Sequence, residues 1–130
     1  MAQKYNWIDA KALRMLHEES LAIHGGSSGV RDEGLFESAM MRPKNLAHYN
    51  ENADISDLAA SYAYGLAKNH PFVDGNKRAA FLSVGLFLGI NGCKLIATPV
   101  DAIQAVLGIA SGEITEEAFA SWIRDNIKPL

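Results

Sequence analysis

The residues best equipped for chemistry stand together near the middle of the chain: His70, Asp74, Gly75, Asn76, Lys77 and Arg78, interleaved with Pro71, Phe72 and Val73. An imidazole titrates near neutral pH and can move a proton. A carboxylate can hold a divalent cation, and a glycine lets backbone amides converge at a tight turn. Directly afterwards runs an almost wholly apolar stretch, residues 79–90, which predicts a helix. A loop feeding a helix N-terminus is a ready anion site, because the first amides lack intrahelical partners and the helix dipole favours negative charge there. Lys77 and Arg78 would stand in the first turn, where the dipole disfavours cations, and a bound anion supplies the missing reason. Separately, Pro71 could punctuate a loop, Gly75-Asn76 form a turn, Asn76 cap the helix and His70 be structural. Together the cluster indicates phosphate handling.

The elements that must position this cluster read as helices joined by short loops. Asp9 can cap a first helix over residues 10–24, with Leu13, Leu16 and Ile23 on one face, stopped by Gly25-Gly26. Asp32 starts a second, shorter helix that Pro43 ends. Residues 44–52 are polar and lack a period, which suggests a loop or a short hairpin. A third helix begins at Asp54 or Ser56, runs to about residue 69 and carries Leu58, Tyr62, Leu66 and small alanines. The apolar helix after the cluster closes at Asn91-Gly92 and is expected to be buried on all sides. Residues 94–97 read as briefly extended. Thr98, Pro99 and Asp101 form a helix start, that helix ends near Gly112, and Thr115-Glu116-Glu117 opens a last helix ended by Pro129. The expectation is an all-α single domain over residues 1–130, a compact helical bundle around a central buried helix with at most one small hairpin.

Composition narrows the function classes. A chain of 130 residues with 48% hydrophobic content can bury a real core without staples. The net charge of −3 leaves no electrostatic footprint for nucleic acid. The helix pair around Gly112 has a helix-turn-helix outline, but Glu116, Glu117 and Asp125 against the single Arg124 are wrong for facing phosphates. Cys93 cannot form an internal disulfide, which fits a reducing cytoplasm, and reads as a small core hydrophobe. Residues 7–14 alternate apolar and charged types, unlike a signal peptide, and the longest apolar run is short of the ~20 residues that span a bilayer. A soluble cytoplasmic protein with neither nucleic-acid nor membrane partners is expected. His17, His24, His48 and Cys93 lack metal-ligand spacing and suggest no zinc site.

His-Pro-Phe, one variable residue, Asp, Gly, Asn, Lys and Arg over residues 70–78 resemble the signature of the Fic/Doc family, with every fixed position matched. His24-Gly25-Gly26, then Gly29-Val30-Arg31-Asp32-Glu33-Gly34-Leu35, Glu37-Ser38-Ala39 and Arg42-Pro43 are similar to the N-terminal half of its death-on-curing branch. The resemblance implies that His70 takes the proton of a target hydroxyl and that Asp74 holds Mg²⁺ on the phosphates of ATP. It further implies that Gly75, Asn76, Lys77 and Arg78 bind phosphate, with the Asn76 side chain helping to fix it and Phe72 anchoring the loop inward.

Two positions bear on the direction of transfer. The AMP-transferring branch of the family carries Gly where Lys77 stands and a second Arg where Phe81 stands. Both departures match the death-on-curing branch, whose members resemble kinases that transfer the γ-phosphate. The implied function is the toxin half of a toxin–antitoxin pair that phosphorylates a threonine of the translation elongation factor delivering aminoacyl-tRNA. AMP transfer to a protein hydroxyl is the alternative. A non-catalytic binding module is a third reading, and an intact His70 and Asp74 argue against it. An inhibitory segment of the family type would place Ser or Thr four residues before a Glu-Gly or Glu-Asn pair. Gly29 precedes Glu33-Gly34 and Ala47 precedes Glu51-Asn52 at that spacing, so the resemblance implies a separate small antitoxin covering the loop.

Overall fold

Short polar side chains start most of the helices. Asp9, Asp32, Asp54, Thr98 and Thr115 each accept a hydrogen bond from a backbone amide in the first turn that follows, satisfying donors that the helix itself cannot pair. The computed structural model of the protein describes residues 4–130. In chain order it contains α1 (Ala10–His24), α2 (Glu33–Tyr49), α3 (Ile55–Asn69), α4 (Asn76–Ile90), β1 (Cys93–Leu95), α5 (Pro99–Ser111), α6 (Glu116–Asp125) and β2 (Ile127–Pro129). The fold is all-α, with one antiparallel strand pair in which Lys94 faces Lys128. Among the described residues no helix is long and apolar enough to cross a membrane.

The helix at the centre is α3. Its positions 58–63 and 65–67 are all buried, and it packs against α4, α2 and α6. Alanines and Gly65 let the neighbours come close: a Cβ at Gly65 would lie 3.2 Å from the Ala39 backbone of α2. Tyr62, Phe87, Leu58 and Leu66 fill the interior, with the Tyr62 and Phe87 rings 5.2 Å apart. The motif helix α4 is therefore not buried on all sides, as its apolar composition suggested. Ala80, Ser83, Val84 and Phe87 face the core, while Gly85, Gly89 and Ile90 are exposed. Glycines on that outer face keep the helix apolar in composition without adding bulk to bury.

Three further expectations are corrected. α2 does not stop at Pro43 but continues to Tyr49, so residues 44–49 are helix and not a loop or hairpin. A mid-helix proline costs about 3 kcal/mol. Here it extends the stripe of Phe36, Ala39 and Met40 buried against α3, and Leu46 and Ala47 continue the contact beyond it. Tertiary packing outweighs the local penalty. Ile23 is 77% exposed, because the buried face of α1 is Leu13, His17 and Leu21. The last helix ends at Asp125, before Pro129, and the residues after it pair with β1.

A polar clasp joins α6 to the start of α3. Asp54 and Asp57 form a capping box, and Arg124 forks onto Asp54 at 2.7 and 3.0 Å and reaches Asp57 at 3.1 Å. Hydrogen bonds from Arg124 hold the Asp54 carboxyl below the ordinary carboxylate range; burial opposes this, and the Asp57 amide reinforces it. A carboxyl depressed in the folded state contributes stability that is complete above its unfolded value and lost as pH falls through the folded one. Asp54→Asn keeps a capping side chain and removes the charge, so at neutral pH it should lower stability by about 0.5–1 kcal/mol, modest because the pair is solvent-screened. Urea titrations should show the gap closing below pH ~3.9 as wild-type Asp54 takes up its proton.

Candidate active site

The loop between α3 and α4 is held from three sides. Phe72 at its centre is 2% exposed, stacked on His17 of α1 at 3.9 Å between centroids and meeting Phe36 of α2 edge-on at 5.4 Å. Above it, the glycine-rich segment after α1 lies alongside. The Arg31 and Asp32 amides both donate to the Pro71 carbonyl, Val73 donates to the Gly29 carbonyl, and Val30 bridges to Phe72. Below it, the His17 Nε2 lies 2.8 Å from the Asp74 carbonyl oxygen.

His70 is the last residue before the loop. It caps α3 in the left-handed conformation (φ 50°, ψ 54°), the sole non-glycine with positive φ among the described residues, and its side chain is exposed. Such a backbone is strained for a residue with a Cβ and persists where its surroundings enforce it. Arg31 does so, its Nε donating to the His70 carbonyl at 2.8 Å and its Nη2 to the Asn69 carbonyl at 3.0 Å. A strained histidine at the mouth of a loop fits a functional assignment.

At the other end, α4 starts differently from the rest. Its N-cap is Gly75, left-handed at φ 75°, with no side-chain cap, so the amides of Asn76, Lys77 and Arg78 are met by no capping group. Lys77 is exposed and Arg78 half-buried in that same turn, which contains no acidic residue. Amides, dipole and two cations all favour an anion here. Asp74 sits at the lip, its Oδ1 accepting from Gly75 N at 2.8 Å and its Oδ2 from Ser27 N at 3.2 Å. The Asn76 side chain, expected to help fix phosphate, instead brackets Phe72: Oδ1 accepts from the Phe72 amide at 2.9 Å, and Nδ2 donates to its carbonyl at 3.1 Å. Asn76 thereby closes the loop and leaves its own amide for an anion. Lys77, Arg78 and Phe81 also line a recess of about 150 Å³ with Ile103, Val106 and Leu107 of α5.

Every residue singled out in the sequence thus lies at the α3–α4 junction, His70 on one side of the loop and Asp74 to Arg78 on the other. His17 and Arg31 were missed as parts of this site. The signal for His17 was its place between Leu13 and Leu21 on the buried stripe of α1, where a polar residue needs a partner. Arg31 gave no such signal, since its role depends on a tertiary pairing between loops.

A profile of the Fic/DOC family matches residues 7–88, which takes in α3, the loop and most of α4. The chain belongs to the Fic/DOC family. It is 32% identical over 117 residues to "Protein kinase doc" of Escherichia phage P1, covering 90% of this chain and 92% of that protein. It is also 42% identical over 74 residues to "Toxin Doc" of Mycolicibacterium smegmatis, covering 56% and 57% respectively.

Gly75 is doubly constrained, by its φ of 75° and because a Cβ would lie 3.0 Å from His17 Nε2 and 3.3 Å from Leu21 Cδ2. Gly75→Ala should destabilise by about 1–2 kcal/mol and weaken anion binding at the loop. Gly85, on the open face of α4, is the control, because a Cβ added there would meet nothing within 4 Å. Gly85→Ala should stabilise by about 0.5–1 kcal/mol. Chemical denaturation of the two variants checks both signs.

Proposed function

We propose that this protein is a Doc-type toxin acting as a Mg²⁺-dependent phosphotransferase, which moves the γ-phosphate of ATP to a hydroxyl side chain of a protein. The observation that carries the reading is the uncapped start of α4, with Gly75 left-handed and Lys77 and Arg78 in the first turn. It lies one short loop away from an exposed His70. Likeness along nearly its whole length to a phage protein named a kinase supports the phosphoryl direction. Phe81, in the position where AMP-transferring relatives carry a second arginine, adds an apolar wall beside Lys77 and Arg78 and no further charge for a distal phosphate.

In this reading the acceptor oxygen bonds to the γ-phosphorus, the bond to the β,γ-bridging oxygen breaks and ADP departs. His70 takes the hydroxyl proton as the new bond forms. The amides of Asn76 and Lys77 cradle phosphate oxygens, and the Lys77 and Arg78 side chains neutralise charge during transfer. Asp74 is fitted to hold the metal: its carboxylate stands beside the anion loop, and both oxygens contact only backbone amides, which leaves lone pairs for a cation. Asp74 would supply the protein carboxylate of a magnesium site, which uses one or two carboxylates with phosphate and water completing the shell, and a cation held there would offset phosphate charge. The acceptor we assign is a threonine of the elongation factor that delivers aminoacyl-tRNA. The partner we assign is a small antitoxin whose flexible segment orders as it covers the loop. The name of the mycobacterial relative supports the toxin role.

Incubation with bacterial lysate, Mg²⁺ and ATP should add label to an acceptor from γ-labelled and not from α-labelled ATP. Label from the α position alone would replace phosphoryl transfer with AMP transfer at the same site. His70→Ala should fold normally, retain most nucleotide affinity and lose about 10²–10⁴-fold in rate. Near-wild-type transfer by that variant would remove His70 from the reaction.

The metal assignment has its own measurement. Asp74→Asn should weaken nucleotide binding in the presence of Mg²⁺ more than in its absence. Calorimetry giving equal affinities for variant and wild type under both conditions would overturn the role of Asp74.

A further inference from the structure

His17 takes no part in the reaction described above, yet no surface of it is exposed to solvent and it meets the loop at Phe72, Asp74 and Gly75. Its ring stacks on Phe72 with planes 23° apart, its Nε2 meets the Asp74 carbonyl at 2.8 Å, and the same atom closes off the space a side chain at Gly75 would need. A carbonyl can only accept, so Nε2 carries the hydrogen. Nδ1 is then a bare acceptor, and it is buried with no partner among the described residues. A buried unpaired polar atom is unfavourable by about 1–3 kcal/mol. Between Leu13 and Leu21, packing alone would favour a leucine at this position. What the histidine adds is its N–H.

We propose that His17 is a positioning residue of the phosphate loop, its Nε2–H setting the orientation of the peptide that joins Asp74 to Gly75. That peptide is planar and trans, so its carbonyl and its N–H point in opposite directions. With the Asp74 carbonyl drawn inward to His17, the Gly75 N–H is turned outward toward the lip of the loop, where it meets Asp74 Oδ1. The left-handed turn at Gly75 then begins from a fixed plane, and the following amides of α4 open on the same side. Without the donor, the peptide is free to flip, and the anion site loses its preformed shape while the core beneath Phe72 remains packed. His17 thus sets the geometry of the loop from the buried side and never touches substrate.

The inference rests on the loop being a phosphate site, and the experiment separates the two ideas. His17→Leu removes the donor and keeps the bulk; His17→Gln restores an N–H at similar reach. In the free wild type, ¹⁵N imidazole spectra should show His17 protonated on Nε2 and bare on Nδ1. The Gly75 and Asn76 amide resonances should stay near their wild-type positions in His17→Gln and move in His17→Leu, with both variants folded by circular dichroism. MgATP affinity should fall about tenfold in His17→Leu, the equivalent of one lost hydrogen bond, with most of it recovered in His17→Gln. Its effect on transfer should appear in KM for ATP more than in kcat. Protonation on Nδ1, unmoved loop amides in His17→Leu, or equal impairment of the two variants would each overturn the proposal. If wild type binds no MgATP, the phosphotransferase reading fails, and the amide resonances alone decide whether His17 sets the loop.

Discussion

The burial of Phe72 is the contact on which the site depends. A loop of polar residues and glycine has little reason to hold one shape, since loops resist burial unless their backbone groups are paired. One aromatic ring driven between His17 and Phe36 gives this loop a fixed centre. Around it the backbone is satisfied on all sides: by Gly29, Arg31 and Asp32 from the N-terminal loop, by His17 from α1 and by Asn76 from the helix that follows. The apolar anchor supplies the energy and the hydrogen bonds supply the register. Remove the anchor and the flanking groups, His70 and Asp74, have no common frame.

The same loop departs from what stability alone favours. The other helices start with an oxygen-bearing side chain over their free amides, whereas α4 starts with a left-handed glycine and two cations. Placing Lys77 and Arg78 against the positive end of a dipole is unfavourable by some tenths of a kcal/mol each. The left-handed backbone of His70 adds strain of order 1 kcal/mol or more. These unfavourable terms are concentrated within a few residues, and the densely packed α3 directly beneath offsets them. Local violations gathered on a consistent scaffold are the pattern expected of a site that binds a charged ligand.

Much of this was legible in the sequence because it is local. The caps at Asp9, Asp54, Thr98 and Thr115, the stop at Gly25 and the turn at Gly75 follow from residue chemistry within a few positions. The motif itself is contiguous, so its assembly required no knowledge of the fold. What escaped was set by tertiary contact. Pro43 remains helical because its neighbours bury against α3, and no local rule anticipates that. The apolar α4 has an open face because its outward positions include Gly85 and Gly89, too small to betray exposure by polarity. The Asn76 side chain turned inward because the Phe72 backbone offered both a donor and an acceptor at the right spacing. His17 and Arg31 act on residues 57 and 39 positions away, which no window on the chain can register.

That long reach fixes when in the life of the chain the site comes into being. During synthesis α1 and the glycine-rich segment emerge first and find nothing to hold. At about 5–20 residues per second, the partner of His17, 57 positions on, follows about 3–11 s later. Until then the buried stripe of α1 has no Phe72 to stack on, and the groups that constrain His70 have no carbonyl to grip. Contacts of such sequence separation form late and lose the most chain entropy when they do. The loop therefore has no fixed shape until the start of α4 has been made, and it takes one only when α3 and α4 close over residues made long before them.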